Sequence, residues 1–410
     1  MHPIVKFWKK LGPGLVTGAS DDDPSGIATY SQAGAMFGLL TLWTALVTYP
    51  LMFYLQEMCA RIGIVTNQGL GSIIKKHYPK QLLWVLIIFF FPAVTFNIAA
   101  NLAGMGAVTH LLVPFMPVWC YTSIFTVLLL IGLLFFSYKK MSFILKWLCL
   151  SLLVYLIVPF LVKENWQDIL WATITPTIKF SKEYLLILVA ILGTTISPYL
   201  FFWQASMSVE DRNHKPDKIL KKEIKDMKLD VQIGMFLSNL VMFFIILTTG
   251  TVLHNEGILH IETVQDAAKA LEPLAGHFAY LLFALGVIGT GMLSIPILAG
   301  CLGYLFADIF DWEKGMDKKI TEAKKFYAVM IASILLGFFI NTFELDPIRA
   351  LIFTSIIYGL LAPFLIILIM HICNRKDIMK HLTNSWVSNL MGTLAFLLMS
   401  GAAFFLIYFI

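Results

Sequence analysis

Apolar runs of about 18 or more residues recur along this chain from its beginning to its end. A helix rises about 1.5 Å per residue, so each run is long enough to cross roughly 30 Å of hydrocarbon. The composition fits such a protein, because 59% of the residues are hydrophobic and only 13% are charged, whereas soluble proteins carry about 25% charged residues. We therefore predict an all-α membrane protein in which residues 1–410 form a single transmembrane domain.

Eleven spans are predicted, and the distribution of positive residues orients them. The predicted spans are 12–37, 39–65, 82–113, 118–137, 141–162, 183–208, 230–254, 277–307, 326–342, 349–373 and 386–410. Loops on one side hold 23 Lys and Arg residues, and loops on the other side hold five. Lys and Arg favour cytoplasmic loops, so we predict a multi-pass protein of the cell membrane with a cytoplasmic N-terminus and an extracytoplasmic C-terminus. The Lys-rich loop 209–229 is interpreted as part of this signal, and no nucleic acid partner is predicted.

The first span contains three adjacent carboxylates near its middle, in the stretch LGPGLVTGASDDDPSGIATYSQAGAMFG. One Asp at the centre of an isolated membrane helix costs about 2.5–3.5 kcal/mol, so Asp21, Asp22 and Asp23 are expected to line a polar cavity or to bind a ligand. Pro24 has no N–H and Gly26 tolerates non-helical dihedrals, so the helix is expected to be interrupted here and to free backbone carbonyls. On a continuous helix the three carboxylates point about 100° apart. At most two are expected to converge, with the third facing an access vestibule.

The sixth span contains a similar group of helix-breaking residues, Gly193, Thr194, Thr195, Ser197 and Pro198. It follows the first span by an odd number of crossings, so it enters the membrane from the opposite side. Two interrupted helices at matching places in two oppositely oriented halves are typical of inverted-repeat transporters, which bind their substrate between the interruptions.

The stretch GPGLVTGASDDDPSGIATYSQAGAMFG, followed by QEMCARIGIVTNQGL at the end of the second span, resembles the natural-resistance-associated macrophage protein (Nramp) family. The resemblance extends over essentially the whole chain. It implies a LeuT-type fold, with five plus five helices in inverted repeat and an eleventh helix, and with helices 1 and 6 interrupted at mid-membrane. It also implies transport of a divalent metal cation, with the metal as substrate and with no cofactor and no enzymatic activity.

The family pattern differs from this chain at two ligand positions. Where the family carries Asp-Pro-Gly-Asn in span 1, this chain has Asp23 at the Asp position and Gly26 at the Asn position. Where the family carries a metal-binding Met in span 6, this chain has Ser197, with Thr194 at the position of an Ala whose carbonyl binds metal. In these respects the chain is similar to the Nramp-related magnesium transporters, and the resemblance implies that Asp23 is a ligand.

The predicted metal site contains only oxygen ligands, which suit Mg²⁺ and Mn²⁺ better than soft metals. Its predicted members are Asp23, Asp22, Asp21, Ser25, Gly26, Thr194 and Ser197. Further candidates for the transport pathway are Asn97, Asn101, Tyr199 and Gln204. The predicted function is secondary transport of Mg²⁺ or Mn²⁺ into the cytoplasm by alternating access, by a protein that functions as a monomer in the lipid bilayer.

Two other functions are weighed against metal transport. An amino-acid or organic-cation symporter on the same fold is one, but three adjacent acids would repel a substrate carboxylate. A Mg²⁺-dependent membrane prenyltransferase is the other, with Glu210, Asp211 and Asp217 as a second acidic group. That group lies in a predicted cytoplasmic loop, so it should not face the same diphosphate as the acids of span 1.

Transport is predicted to be facilitated and not coupled to protons. Proton-coupled members of the family carry an acidic pair in span 3 and a His after the Pro of span 6. The matching positions here are Ile98, Asn101 and Tyr199, and none of these side chains exchanges protons near neutral pH. Span 9, which carries basic residues in those members, has no charged residue in this chain.

Overall fold

The computed structural model describes residues 12–135, 155–161, 165–212, 221–343 and 346–409, and every regular element in these ranges is helical. The α-helices are α1 (Pro13–Asp21), α2 (Pro24–Phe37), α3 (Trp43–Thr66), α4 (Leu70–His77), α5 (Lys80–Leu112), α6 (Val118–Phe135), α7 (Trp166–Ile174), α8 (Lys182–Thr195), α9 (Pro198–Arg212), α10 (Lys221–Val252), α11 (Val264–Lys269), α12 (Glu272–Ala275), α13 (Ala279–Phe310), α14 (Lys324–Ile340), α15 (Pro347–Asn374), α16 (Lys376–Met379) and α17 (Trp386–Phe409). Four short 3-10 segments join them, Gly38–Thr41, Val158–Phe160, Gly276–Phe278 and Asn341–Phe343. The predicted all-α class is confirmed.

Eight helices in the described ranges are long and apolar enough to cross a membrane: α5, α6, α8 with α9, α10, α13, α14, α15 and α17. A further candidate pairs Pro24–Thr41 with Trp43–Thr66, two segments bent by 108° relative to one another. The prediction assigns these segments to spans 1 and 2. A multi-pass membrane protein is thus confirmed, while the number of eleven crossings and their orientation stay predictions.

The helices follow the predicted spans closely, with two differences. Helix α10 begins at Lys221, earlier than the predicted start at 230, because its first turns are rich in charged residues, with four Lys, one Glu and two Asp in 221–230, and continue the helix beyond the apolar run. The predicted fifth span, 141–162, lies mainly outside the described residues.

Both predicted interruptions are present. Helix α1 ends at Asp21 and α2 begins at Pro24, while α8 ends at Thr195 and α9 begins at Pro198. In span 1, Asp23 has extended dihedrals (φ −68°, ψ 171°) and caps α2. Asp at the N-cap followed by Pro at the first helical position is a strong helix-start signal. The local sequence therefore ends one helix and starts another within two residues.

The interruptions lie in the interior, surrounded by other helices. Helices α1 and α2 pack along α10, and α8 packs along α15. Helix α5 also contacts α2 and crosses beside the interruption in span 1. The helices α5, α10 and α15 therefore lie beside the interrupted first span, and α15 also lies beside α8 of the sixth span. Elsewhere, α3 carries a buried ion pair between Arg61 and Glu57. Arg61 Nε and Nη2 each lie 3.1 Å from a carboxylate oxygen of Glu57. Arg61 also donates to the carbonyl of Leu382 and to the side chain of Asn384.

Candidate functional site

The carboxylate of Asp23 is held by four donors. Its Oδ1 accepts from the Ser25 hydroxyl at 2.5 Å and from the Gly26 N–H at 3.0 Å. Its Oδ2 accepts from the side-chain amides of Asn97 at 3.1 Å and Asn101 at 3.2 Å, both on α5. Bonds of this kind to a charged acceptor are strong. The four hydrogen bonds satisfy both carboxylate oxygens in the protein interior and fix the direction of the carboxylate toward α5.

Asp21 and Asp22 face a different neighbour, Ser238 on α10. The Ser238 hydroxyl lies 2.9 Å from Asp21 Oδ2 and 3.3 Å from Asp22 Oδ1. A hydroxyl has one hydrogen to donate, so it satisfies only one of these two oxygens at a time. Asp21 Oδ1 is also buried and has no hydrogen-bond partner among the described residues. This pair of carboxylates therefore has more acceptor oxygens than donors.

The structure divides the three acids and closes all of them off from solvent. Two of them, Asp21 and Asp22, converge on Ser238. The third, Asp23, does not face a vestibule as expected: the three residues are 0%, 4% and 1% exposed, in chain order. The interruption turns Asp23 toward α5 because it is the N-cap of a new helix. None of the three forms a salt bridge within the described ranges. In the same ranges, no group of three or more His, Cys, Asp or Glu side chains is arranged so that it could hold a metal ion.

The interruption in span 6 contributes neutral groups. The Ser197 hydroxyl donates to the carbonyl of Thr194 at 2.5 Å and lies 3.3 Å from that of Gly193. The Thr194 hydroxyl lies beside the other interruption, since a Cβ on Gly26 would be 3.3 Å from it and 3.3 Å from the carbonyl oxygen of Asp21. Thr194, Ser25 and Gly26 thus lie together with the carboxylates, whereas the Ser197 oxygen is directed back to its own helix.

Side chains use several of the carbonyls that the interruptions were expected to free. The Tyr199 hydroxyl of α9 donates to the carbonyl of Ser20 in the last turn of α1 at 2.9 Å. Ser197 does the same for the carbonyl of Thr194. Buried carbonyls at helix ends need donors, and these side chains provide them. Fewer carbonyls are consequently available as ligands than the sequence analysis expected.

Hydrogen bonds also pair the half-helices that lie on the same side of the interruptions. Thr17 of α1 donates to Gln204 of α9 at 2.6 Å, in addition to the bond from Tyr199 to α1. Tyr30 of α2 and Thr195 of α8 share a hydrogen bond of 3.0 Å. Helix α1 is therefore joined to α9, and α2 to α8. The predicted pathway residues Tyr199 and Gln204 act in the first of these pairs.

Residues from three other helices complete the site, and the sequence analysis did not single them out. Ser238 binds the acid pair, Ser294 of α13 accepts from Asn101 at 3.3 Å, and Thr354 of α15 donates to Asn97 at 3.4 Å. Met242, one turn after Ser238, accepts a hydrogen bond from Thr195 through its sulfur at 3.5 Å. A polar residue inside an apolar run, such as Ser238 in GMFLSNLVMFF, is the signal that was available for finding them.

The possible metal ligands around the two interruptions favour a hard cation. Carboxylates, an amide oxygen, hydroxyls and a backbone carbonyl surround the two interruptions, and Asn101 Oδ1 is buried without a partner among the described residues. Such oxygens are the ligands of Mg²⁺, Ca²⁺ and Mn²⁺. Asp21 and Asp22 have more acceptor oxygens than hydrogen-bond donors, and a positive ion beside them would stabilise these oxygens.

Comparison with known proteins gives a consistent result. The family model described as natural resistance-associated macrophage protein-like (Nramp) matches residues 14–409. The protein named divalent metal cation transporter MntH of Caldanaerobacter subterraneus subsp. tengcongensis is 26% identical over 400 residues, which cover 95% of this chain and 90% of that protein. The protein of the same name from Clostridium acetobutylicum is 23% identical over 396 residues, covering 95% and 87%.

Solved structures share the fold. The manganese transporter of Eremococcus coleocola superposes with a TM-score of 0.78 at 18% identity, covering 98% of this chain and 87% of that one. Mhp1 in its inward-facing conformation superposes with a TM-score of 0.52 at 14% identity, covering 97% and 90%. The predicted LeuT-type fold with helices 1 and 6 interrupted is confirmed.

Proposed function

This chain belongs to the natural resistance-associated macrophage protein-like (Nramp) family, and from that membership we propose that it carries a divalent metal cation, Mg²⁺ or Mn²⁺, into the cytoplasm. The family consists of metal-ion transporters and not enzymes, so the metal is cargo and not a cofactor. The observation that supports this cargo most directly is the buried set of three carboxylates at the interruption of span 1, which makes no salt bridge among the described residues.

We propose that Asp23 binds the metal directly and that Asp21 and Asp22 attract it from the opposite side of the interruption. To bind, the metal takes the place of one or more of the four donors on Asp23, and the amide of Asn101 then turns its oxygen inward. Because Gly26 has no side chain, the carbonyl of Asp21 and the hydroxyl of Thr194 lie directly beside it as further oxygen ligands. Mg²⁺ usually retains several waters and uses one or two carboxylates, which fits this combination.

The preference for hard cations is tested by competition in proteoliposomes. We expect millimolar Mg²⁺ to inhibit Mn²⁺ uptake. We expect Cd²⁺, which has the same charge, to inhibit no more strongly than Mg²⁺, because the ligands are oxygens. Tight inhibition by Cd²⁺ together with no effect of Mg²⁺ would contradict this part of the proposal.

Alternating access in this chain would follow from the two pairs of half-helices. The pair of α1 and α9 covers the carboxylates from one side, which we assign to the cytoplasm because 23 Lys and Arg residues lie in the loops on that side. The pair of α2 and α8 covers them from the other side. Both pairs are closed in this structure, since the carboxylates are buried. Separating one pair at a time from its neighbours would expose the site to one side only.

We propose that uptake is not coupled to protons. Asn97 and Asn101 surround Asp23 with amides, and Tyr199 donates its hydroxyl hydrogen to a carbonyl, so these groups offer no route for a proton away from the site. The membrane potential would suffice to concentrate a divalent ion, at about 2.3 kcal/mol per charge per 100 mV. The test is a liposome loaded with a pH-sensitive dye under a clamped potential. Acidification of the lumen in proportion to metal uptake would contradict uncoupled transport.

The alternative functions receive less support. The likeness to Mhp1 concerns the fold, and three buried acids oppose an amino-acid substrate. For the prenyltransferase, Glu210 of the second acidic group accepts hydrogen bonds from the Tyr304 hydroxyl and from the Met316 N–H, the latter at 3.0 Å, and, in the described ranges, not from groups beside the first acids. Asp217 of that group lies outside the described residues. We also propose that the protein functions as a monomer, which size-exclusion chromatography with light scattering tests.

A further inference from the structure

A carboxylate from α10 holds the first turn of α1. Asp230 Oδ1 accepts from the backbone N–H groups of Gly12 at 2.8 Å and Leu15 at 3.2 Å, and Oδ2 accepts from Gly14 at 2.7 Å. The Asp230 residue is 5% exposed. The first N–H groups of a helix have no partner within the helix and carry partial positive charge, so a carboxylate is well suited to them. Here the capping side chain comes from a distant helix and not from the residue before α1.

The contact between α1 and α10 continues along both helices without intervening side chains. A Cβ on Gly14 would lie 2.6 Å from the backbone nitrogen of Val231, and one on Gly18 would overlap the backbone of Gly234. Glycines at such spacing allow membrane helices to approach closely. The contact therefore depends on backbone-to-backbone fit, with Asp230 binding one end of it and Ser238 binding Asp21 at the other.

The C-terminal half of α1 has a second attachment, to α9. Tyr199 and Gln204 hold it through Ser20 and Thr17. An opening that leaves α1 with α9 must therefore separate α1 from α10. Because Asp21 and Asp22 lie between α1 and Ser238 of α10, that separation would expose the acid pair on the side where α1 begins.

We propose that Asp230 is a positioning residue that holds α1 against α10 and so sets how often the pathway opens on the cytoplasmic side. This inference rests on the transport function proposed above. Asp230 does not touch the metal position, and it acts through the position of α1. Its removal would leave the carboxylates at 21–23 in place and would shift the conformational equilibrium toward the cytoplasm-open state.

Hydrogen–deuterium exchange measures how firmly Asp230 holds the first turn of α1, and it does so independently of transport. In Asp230→Asn, one carboxylate oxygen is replaced by an amide NH₂, so three N–H groups lose their charged acceptor. We expect the backbone amides of residues 12 and 14–16 to exchange about tenfold faster, since hydrogen bonds to charged groups are among the strongest in proteins. Exchange in α2, beyond the interruption, should not change. Asp230→Glu, which restores the charge, should recover part of the protection.

Metal kinetics from the two faces provide the second measurement. When the competent conformation is less populated, apparent affinity falls in proportion. We therefore expect Asp230→Asn, in liposomes of defined orientation, to raise the KM for external Mn²⁺ and to lower the KM for Mn²⁺ presented to the cytoplasmic face. Their ratio should change by about tenfold. A variant that is merely less stable would lose active protein on both faces and would leave the ratio unchanged.

The control is Asp308→Asn on α13. Asp308 is also buried and accepts from Ser72 of α4 at 2.6 Å and from Lys314, so this variant loses a similar carboxylate without touching α1. It should alter neither exchange at 12–16 nor the KM ratio. If Asp230→Asn does not fold, Gly18→Ala pushes α1 away from Gly234 and should give the same two changes.

Unchanged exchange and an unchanged KM ratio in the folded variants would overturn the role of Asp230, as would equal changes in the Asp308→Asn control. If the parent protein itself moves no divalent metal, the transport proposal fails. The exchange measurement alone then decides whether Asp230 holds α1.

Discussion

The two interruptions have the same length and the same position before a Pro, but they differ in the charge of their side chains. Each separates two helices by two residues, and each is followed by a Pro that begins the next helix, Pro24 or Pro198. The first interruption carries three buried carboxylates, and two of them share one hydroxyl donor. The second carries hydroxyls, and Ser197 is satisfied by carbonyls in the last turn of α8.

This difference indicates a division of roles. A buried carboxylate strongly favours a cation beside it, because charges interact more strongly away from water. A hydroxyl that is already bonded to a carbonyl adds little charge and mainly determines shape. We infer that the first interruption supplies the affinity for the metal, and that the second determines the size and softness of the ion that is accepted.

The strongest test of this division compares Asp23→Ala with Ser197→Ala. We expect Asp23→Ala to abolish metal uptake, because it removes the carboxylate that four donors orient toward α5. Ser197→Ala should retain uptake to within about tenfold, since it removes one neutral hydrogen bond worth about 1 kcal/mol. Uptake of ⁵⁴Mn by proteoliposomes measures both, with the thermal unfolding temperature of each variant as a control for folding. Equal losses in the two variants would show that the interruptions do not differ in role.

A smaller effect is expected at Ser238, the donor shared by the acid pair. Ser238→Ala leaves Asp21 and Asp22 without this hydroxyl, and we expect the KM for Mn²⁺ to change by about tenfold, the usual scale of a hydrogen bond to a charged group. Ser333→Ala is the matched control, because Ser333 is a buried serine on α14 that donates to the carbonyl of Met330. If both serine variants behave like the parent, the acid pair does not contribute to metal affinity.

The sequence predicted the features that depend on neighbouring residues. Pro24, which has no N–H, and Gly26, which tolerates non-helical dihedrals, predicted an interruption of the first span, and the structure has one between Asp21 and Pro24. Long apolar runs likewise predicted the membrane helices, from α5 to α17, to within a few residues at most ends.

The sequence did not show which distant residues contact one another, even where the residues themselves, such as Asn97 and Asn101, were predicted to lie in the pathway. Ser238 lies 217 residues from Asp21, and Asn97 lies 74 residues from Asp23. Which carboxylate faces which helix depends on the packing of α5 and α10 around the interruption, and that packing is not encoded in the motif itself. For the same reason the use of the Ser20 carbonyl by Tyr199, 179 residues away, was missed. The bond from Ser197 to the carbonyl of Thr194 is local and was also missed.

A change of selectivity with little change of total uptake is expected from Ser197→Met. The thioether is a soft ligand, so the variant should bind Cd²⁺ more tightly relative to Mg²⁺ than the parent does. Ser197→Leu has a similar side-chain volume without sulfur and controls for steric effects. Isothermal titration with Cd²⁺ and Mg²⁺ measures the ratio. An equal ratio in the Met and Leu variants would mean that the second interruption does not determine the softness of the accepted ion.

The smallest effect is expected at Met242, whose sulfur lies beside the second interruption and was not among the ligands predicted from the sequence. Its Sδ accepts a hydrogen bond from Thr195 at 3.5 Å, and Thr195 is itself bonded to Tyr30. Because the sulfur faces Thr195, we do not expect it to bind metal. Met242→Leu conserves volume, so the affinities for Mn²⁺ and Cd²⁺ should stay within about threefold of the parent.

Met235→Leu, a buried methionine on the same helix, controls for the general effect of such a substitution. The informative comparison is Cd²⁺ affinity in the two variants, measured by competition against ⁵⁴Mn. A loss of Cd²⁺ affinity in Met242→Leu alone, with Mn²⁺ affinity unchanged, would identify a sulfur ligand supplied by α10. The site would then contain a soft ligand despite Ser197, and selectivity would depend on α10 and not on the second interruption.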